Sequence, residues 1–132
     1  MDQGTRAVHK GILKPFPSAD LDVMVVWISM MSGDTDEAAL KATRKFHDER
    51  VKQFFDPQRM AGQVFAESLG HSGKVTWDMY LFYPPKADWR ALPPPPEVFM
   101  HQLRGSWADQ NYLFEKDKLR VKLMETMKML FP

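Results

Sequence analysis

Met30-Met31-Ser32-Gly33-Asp34 stands directly behind the apolar run DVMVVWIS. In α/β proteins the crevice beyond the carboxyl end of a strand is where ligands are commonly held. Asp34 there is a candidate acid or base, although capping a following helix is a sufficient role for it. A second carboxylate, Asp78, lies between Trp77 and Met79 inside VTWDMYLFY. A carboxyl within an apolar run is costly to bury unless it is paired, and a perturbed acid beside a cleft can do acid–base work. The structural alternatives are an ion pair with Arg104 or Arg90, or an outward-facing position. His101, in FMHQLRG, follows a proline run and can reach a sheet edge. Asp78 and His101 together are the candidate catalytic pair of a non-thiol enzyme.

Other chemistries are excluded or unsupported. The 132 residues contain no cysteine, which removes disulfides, thiolate nucleophiles, zinc–thiolate sites and iron–sulfur clusters. His9, His47, His71 and His101 show no metal-ligand spacing. Met30, Met31 and His101 are chemically sensible soft ligands for Cu(I), but nothing in their spacing gathers them, so no metal and no cofactor is expected. SGDTD lacks the lysine of a phosphate-binding loop, and no nucleophile elbow is present. Eighteen basic against 17 acidic residues leave a net charge of +1. That balance gives no field to attract nucleic acid or an anionic membrane. No apolar run approaches the ~20 residues that span a bilayer, and MDQGTRAVHKGILKPFP lacks the apolar stretch of a signal peptide. A cytoplasmic protein is expected, with an exported form whose leader has been removed left open.

The elements that must position these residues follow from pattern. Residues 1–20 carry mixed polarity with Pro15 and Pro17 and read as an irregular arm; residues 21–132 read as one domain. Leu21 to Ser29 is short, valine-rich and apolar on both faces, the pattern of a central strand. A helix follows, with Asp34 as N-cap, Glu37 at capping-box spacing, and Ala38, Ala39, Ala42 and Phe46 as its inward stripe. Lys45 and His47 fall in its last turn. RVKQFFD, residues 50–56, is β-prone, and Asp56-Pro57 starts a second helix whose face is Ala61, Val64, Phe65 and Leu69, with Gly70 beyond its end. VTWDMYLFY, residues 75–83, is a second strand, paired in a hairpin with Trp89-Arg90-Ala91. Pro93 to Pro96 cannot join a ladder. Ser106 caps a long final helix, residues 107–130, with Tyr112, Leu119, Leu123, Met127 and Leu130 inward. A helical crossover makes the first two strands parallel and right-handed. The expected fold class is α/β: a mixed four-stranded sheet covered by helices.

In this order the chain resembles the thioredoxin fold over roughly residues 21–130. VMVVWISMMSGDTDEAAL is similar to the thioredoxin strand, active-site loop and helix, with Trp27 where the family often has an aromatic residue. FDPQRMAGQVFAESLG resembles the second strand end and helix, and MYLFYPPKADW the final hairpin. The chain also resembles a bacterial group of thioredoxin-like proteins. The resemblance implies a three-layer α/β/α domain, but Met31 and Asp34 stand where the two cysteines would be, and no proline stands near Thr76-Trp77, where the family has its cis-proline. Thiol–disulfide exchange needs an attacking thiolate, so the redox activities of the family are excluded. What the resemblance leaves is an edge that grips extended peptide, here Trp27, Met30, Met31, Asp34 and Trp77. The expected function is a redox-inactive interaction module with a protein or peptide partner at that edge. The alternatives are the Asp78–His101 enzyme and a structural homodimer through the last helix, where Val121, Met129 and Phe131 lie off the inward stripe.

Overall fold

The computed structural model describes residues 2–132; Met1 lies outside the described residues. Two strands, β1 (Val23–Ile28) and β2 (Val51–Asp56), run parallel, with Val23 opposite Val51 and Ile28 opposite Asp56. They are joined by helix α2 (Asp36–Thr43). Alternation along the strands points Val25, Trp27 and Phe55 at α2, where Ala39 and Ala42 are small enough to let the helix lie close. The opposite face is not covered along its length: Met24 and Phe54 are exposed, so the apolar run of β1 is buried on one side rather than two.

Helix α3 (Met60–Ser68) follows β2. Asp56 does cap it, its carboxylate accepting from the Met60 and Gly62 N–H groups at 2.8 and 3.1 Å. The helix nevertheless begins three residues after Pro57, through Arg59 in the left-handed region at φ 60°. Gly70, at φ 84°, ends it in the conformation a glycine adopts most readily.

The sheet is where structure and expectation part. The described strands form two separate pairs, β1–β2 and an antiparallel pair, β3 (Met79–Phe82) with β4 (Val98–His101), rather than one mixed four-stranded sheet. Residues 75–78, expected in a strand, are drawn off by α3. Thr76 donates both its N–H and its hydroxyl to the Gly62 carbonyl, at 2.9 and 3.0 Å. Asp78 then turns at φ 50°, a conformation no strand residue takes, and β3 starts only beyond it. The hairpin partner is not Trp89-Arg90-Ala91. Trp89 instead packs its ring on Tyr83 and Phe65, with centroids 4.6 and 6.3 Å away, and the ladder resumes after the prolines.

The final helix, α4 (Lys116–Leu130), is shorter than expected. The Phe114 N–H is donated to the His101 carbonyl at 2.9 Å and Leu113 bridges His101, so residues 113–114 run extended beside β4 and cannot be helical. Ser106 closes a local turn, accepting the Ala108 N–H at 3.1 Å. Within α4, Leu119, Leu123 and Met127 are buried as the stripe requires, while Tyr112 lies outside the helix and is exposed. No helix of the described residues is long and apolar enough to cross a membrane.

The largest departure is at the start of the chain. Residues 2–8 form helix α1 (Asp2–Val8), which runs into a π-helical turn, His9–Leu13. Ala7, Val8, Ile12 and Leu13 join Met100, Leu119, Leu123 and Met127 in the main buried cluster. Arg50 ties this segment down. Its guanidinium donates to the carbonyls of Leu13, Phe16 and Ala19 and forms a two-pronged pair with Asp48, at 2.9 and 2.7 Å.

Candidate functional site

The loop after β1 is built around Asp34. Its carboxylate accepts the N–H groups of Met30 and Met31 at 3.0 and 2.8 Å, and its carbonyl accepts the Ser29 hydroxyl at 2.7 Å. Asp34 is therefore not the helix cap. That role falls to Thr35, whose hydroxyl accepts the Ala38 N–H at 3.2 Å. Arg59, held in its left-handed conformation, reaches over from the start of α3 and donates to the carbonyls of Ser29 and Met30 at 2.8 and 3.4 Å. A five-residue turn with this many side-chain bonds is a fixed platform, and Met31 stands on it 65% exposed.

The other residues expected at this edge are placed differently. Trp27 is 8% exposed; its ring lies 6.5 Å from Phe46 and its indole N–H is donated to Gln53 at 3.1 Å. It belongs to the core beneath α2. Met30 and Trp77 are half-buried. The end of β1 and the 75–76 segment both pack against α3. Ile28, at the end of β1, and Val75 and Thr76 all close on Gly62 so tightly that a Cβ there would lie 2.6–3.2 Å from them.

Asp78 lies against a cavity of about 290 Å³ lined by Gln3, Gly4, Asp78, Gln102, Glu115 and Lys116. Desolvation pushes its carboxyl above the ordinary carboxylate value; the chain's amino-terminal charge opposes that rise, and the charge of Asp34 adds to it. The residue as a whole is exposed, the outward-facing alternative. Neither expected ion-pair partner reaches it: Arg104 is paired with Glu115 at 2.6 Å and Arg90 with Asp88 at 2.8 Å. Tyr80, two residues on in β3, donates its hydroxyl to Gln102 at 2.8 Å, and burial raises the phenol well above its ordinary value, with the nearby Asp78 charge adding to the rise.

His101 is not part of this cavity. It is fully buried, its Nδ1 accepting the Leu103 N–H at 3.0 Å and its Nε2 lying 2.7 Å from the Asp109 carbonyl. Since Nδ1 accepts, the ring proton is on Nε2 and is donated to Asp109. Both nitrogens are occupied in holding the 101–109 turn, so Asp78 and His101 do not form an acid–base pair. Among the described residues no group of three or more histidines and carboxylates could hold a metal ion.

Residues that sequence reasoning overlooked carry much of this geometry. Tyr80 comes near Asp78 through the turn at Asp78, outside the strand's two-residue period. Gln102 faces Asp78 only because β4 pairs with β3, and Arg59 and Lys116 reach their places through left-handed backbone that no residue type announces. Comparison with family models, with curated proteins and with solved structures finds no match to this chain.

Proposed function

We propose that this chain is a redox-inactive domain of thioredoxin-like descent that binds an extended peptide or protein segment at the loop after β1. The observation that carries the reading is Met31, an exposed thioether on a loop fixed by Asp34 and Arg59. A rigid backbone presenting an adaptable apolar side chain makes contact at little cost in ordering. The parallel β1–α2–β2 unit followed by an antiparallel pair and a long last helix supports the thioredoxin-like part of the proposal. The absence of cysteine removes the family's own chemistry. With Trp27 inside the core, the contact surface narrows to Met31, Met30 and Trp77.

The experiment is selection of a displayed random peptide library on the intact chain, repeated with Met31→Asp. Peptides enriched on the parent chain and at least tenfold weaker on the variant support the proposal. Enrichment that Met31→Asp leaves unchanged, or no enrichment at all, overturns it.

A further inference from the structure

The connection between β3 and β4, residues 90–96, reads Arg-Ala-Leu-Pro-Pro-Pro-Pro. A proline ring fixes φ near −65°, and a residue ahead of a proline is pushed out of the helical region. Four prolines in succession therefore favour a polyproline II rod, with three residues per turn and no internal hydrogen bonds. Residues 93–96 form neither helix nor strand. Among the described residues no main-chain hydrogen bond ties them to the rest of the chain. The rod is instead held at its two ends. Before it, the Trp89 ring packs on Tyr83 and Phe65. After it, the Glu97 N–H is donated to the Phe82 carbonyl at 2.7 Å.

A stiff segment pinned at both ends loses little freedom when a partner takes it. Its repeat sets out the side chains in order. Leu92 and Pro95, one turn apart, are exposed, and Pro93 and Pro96, also one turn apart, are half-buried. Four prolines allow a single Pro-x-x-Pro register, from Pro93 to Pro96, so the place of Arg90 three residues ahead of it is fixed. The Arg90 side chain is 81% exposed, and its ion pair with Asp88 at 2.8 Å is open to water. A pair of that kind gives way readily to a better one. The Arg90 N–H also reaches the Leu92 carbonyl at 3.4 Å, a long bond that an extended bound form gives up at little cost.

We propose that residues 90–96 are a ligand segment for a proline-recognition domain of the SH3 kind. Leu92-Pro93 and Pro95-Pro96 fill two aromatic-lined slots one polyproline turn apart, and Arg90 pairs with acidic side chains beside them. Grooves lined by aromatic residues take proline-rich segments because the rod arrives already ordered. The exposed guanidinium at a fixed offset is what favours a groove with an acidic flank over one that reads proline alone. In this role the chain is the segment recognised, whereas at the Met31 loop it is the receptor, so the proposal does not rest on peptide binding there.

The test is an NMR titration of the full isotope-labelled chain with an isolated SH3 domain that selects an arginine ahead of its prolines, with a WW domain as control. The expected result is saturable binding of the SH3 domain alone, with shifts centred on the Arg90, Ala91, Leu92 and Glu97 amides, which flank the prolines and their missing N–H groups. Arg90→Glu changes an exposed side chain, so it should keep the thermal midpoint and weaken binding at least tenfold. Pro93→Ala and Pro96→Ala should each weaken it at least tenfold. Pro94→Ala loosens the rod as much but lies between the slots, so it should leave binding nearly unchanged, which separates slot contacts from stiffness. Met31→Asp should leave binding intact. No saturable binding up to about 1 mM domain, equal binding of the WW domain, or shifts centred on Met30 and Met31 would overturn the proposal. So would retained affinity in Arg90→Glu, or equal losses in Pro93→Ala and Pro94→Ala.

Discussion

The Asp34 carboxylate holds the Met31 N–H at 2.8 Å and the Met30 N–H at 3.0 Å, so one side chain sets the direction in which Met31 leaves the surface. Asp34→Ala removes both bonds. A charged acceptor of backbone N–H groups contributes ~1–2 kcal/mol in a setting that is partly open to water. The two amides should then exchange with solvent at least several-fold faster, while amides in β2 keep their protection. Unchanged exchange at Met30 and Met31 would mean that Arg59 alone holds the loop.

Gly62 is the closest approach among α3, β1 and the 75–76 segment. A methyl group there would meet the Val75 Cγ1 at 2.6 Å, the Thr76 carbonyl oxygen at 3.0 Å and the Ile28 Cδ1 at 3.2 Å. In a helix, Gly→Ala ordinarily stabilises by ~1 kcal/mol. Overpacking against backbone costs ~1–3 kcal/mol and reverses that sign here. Gly62→Ala should lower the denaturant midpoint, and a raised midpoint would show that the 75–76 segment can give way.

Ala7, Val8, Ile12 and Leu13 of the N-terminal segment are part of the main core, and a Cβ on Gly11 would stand 3.0 Å from the Arg120 carbonyl oxygen and 3.2 Å from the Leu123 Cβ. A chain beginning at Ser18 leaves Leu119, Leu123 and Met127 uncovered on that side, and it should lose cooperative thermal unfolding. Leu123→Ala in the full chain should cost ~2–5 kcal/mol, the usual range for a fully buried leucine. A truncated chain with the parent's midpoint would show that the domain begins near residue 21 after all.

That segment also shows what the sequence makes legible. β1, α2, β2 and α3 are visible because each carries a local signature: a valine run, alanines at helical spacing, Asp-Pro, and a glycine at the helix end. The N-terminal segment has none, since Pro15 and Pro17 suggest a loop and Ile12 and Leu13 gain their meaning only against Leu119 and Leu123 on α4. β4 was hidden for a related reason. VFMH is too short to announce itself, and its pairing is set by register with β3 across a connection rich in proline. The candidate site was half legible. Asp34, Met31 and Asp78 stand out by residue type and position, whereas their partners Arg59, Gln102 and Lys116 are brought in by backbone turns and long-range pairing. His101 misled because a histidine beside a sheet edge looks reactive, and only the bonds to Leu103 and Asp109 reveal that both nitrogens are used.

The Arg50–Asp48 pair fixes how the N-terminal segment responds to acid. The Arg50 guanidinium and backbone N–H both bond the Asp48 carboxylate and hold its pKa at about 2, below the ordinary 3.8. A carboxylate whose pKa is depressed by folding adds stability that is fully present above its unfolded value and is lost as pH falls toward the folded one. The loss should therefore run from about pH 4 down to about 2. It should appear first in the segment that Arg50 bonds, Leu13 to Ala19, because the guanidinium anchors those carbonyls only while Asp48 orients it. Asp48→Asn removes this titration, so the variant should be less stable than the parent at pH 7 and converge with it near pH 2. Paired denaturant titrations across that range check the sign, and curves that stay parallel would show that the Asp48 charge contributes nothing to the fold.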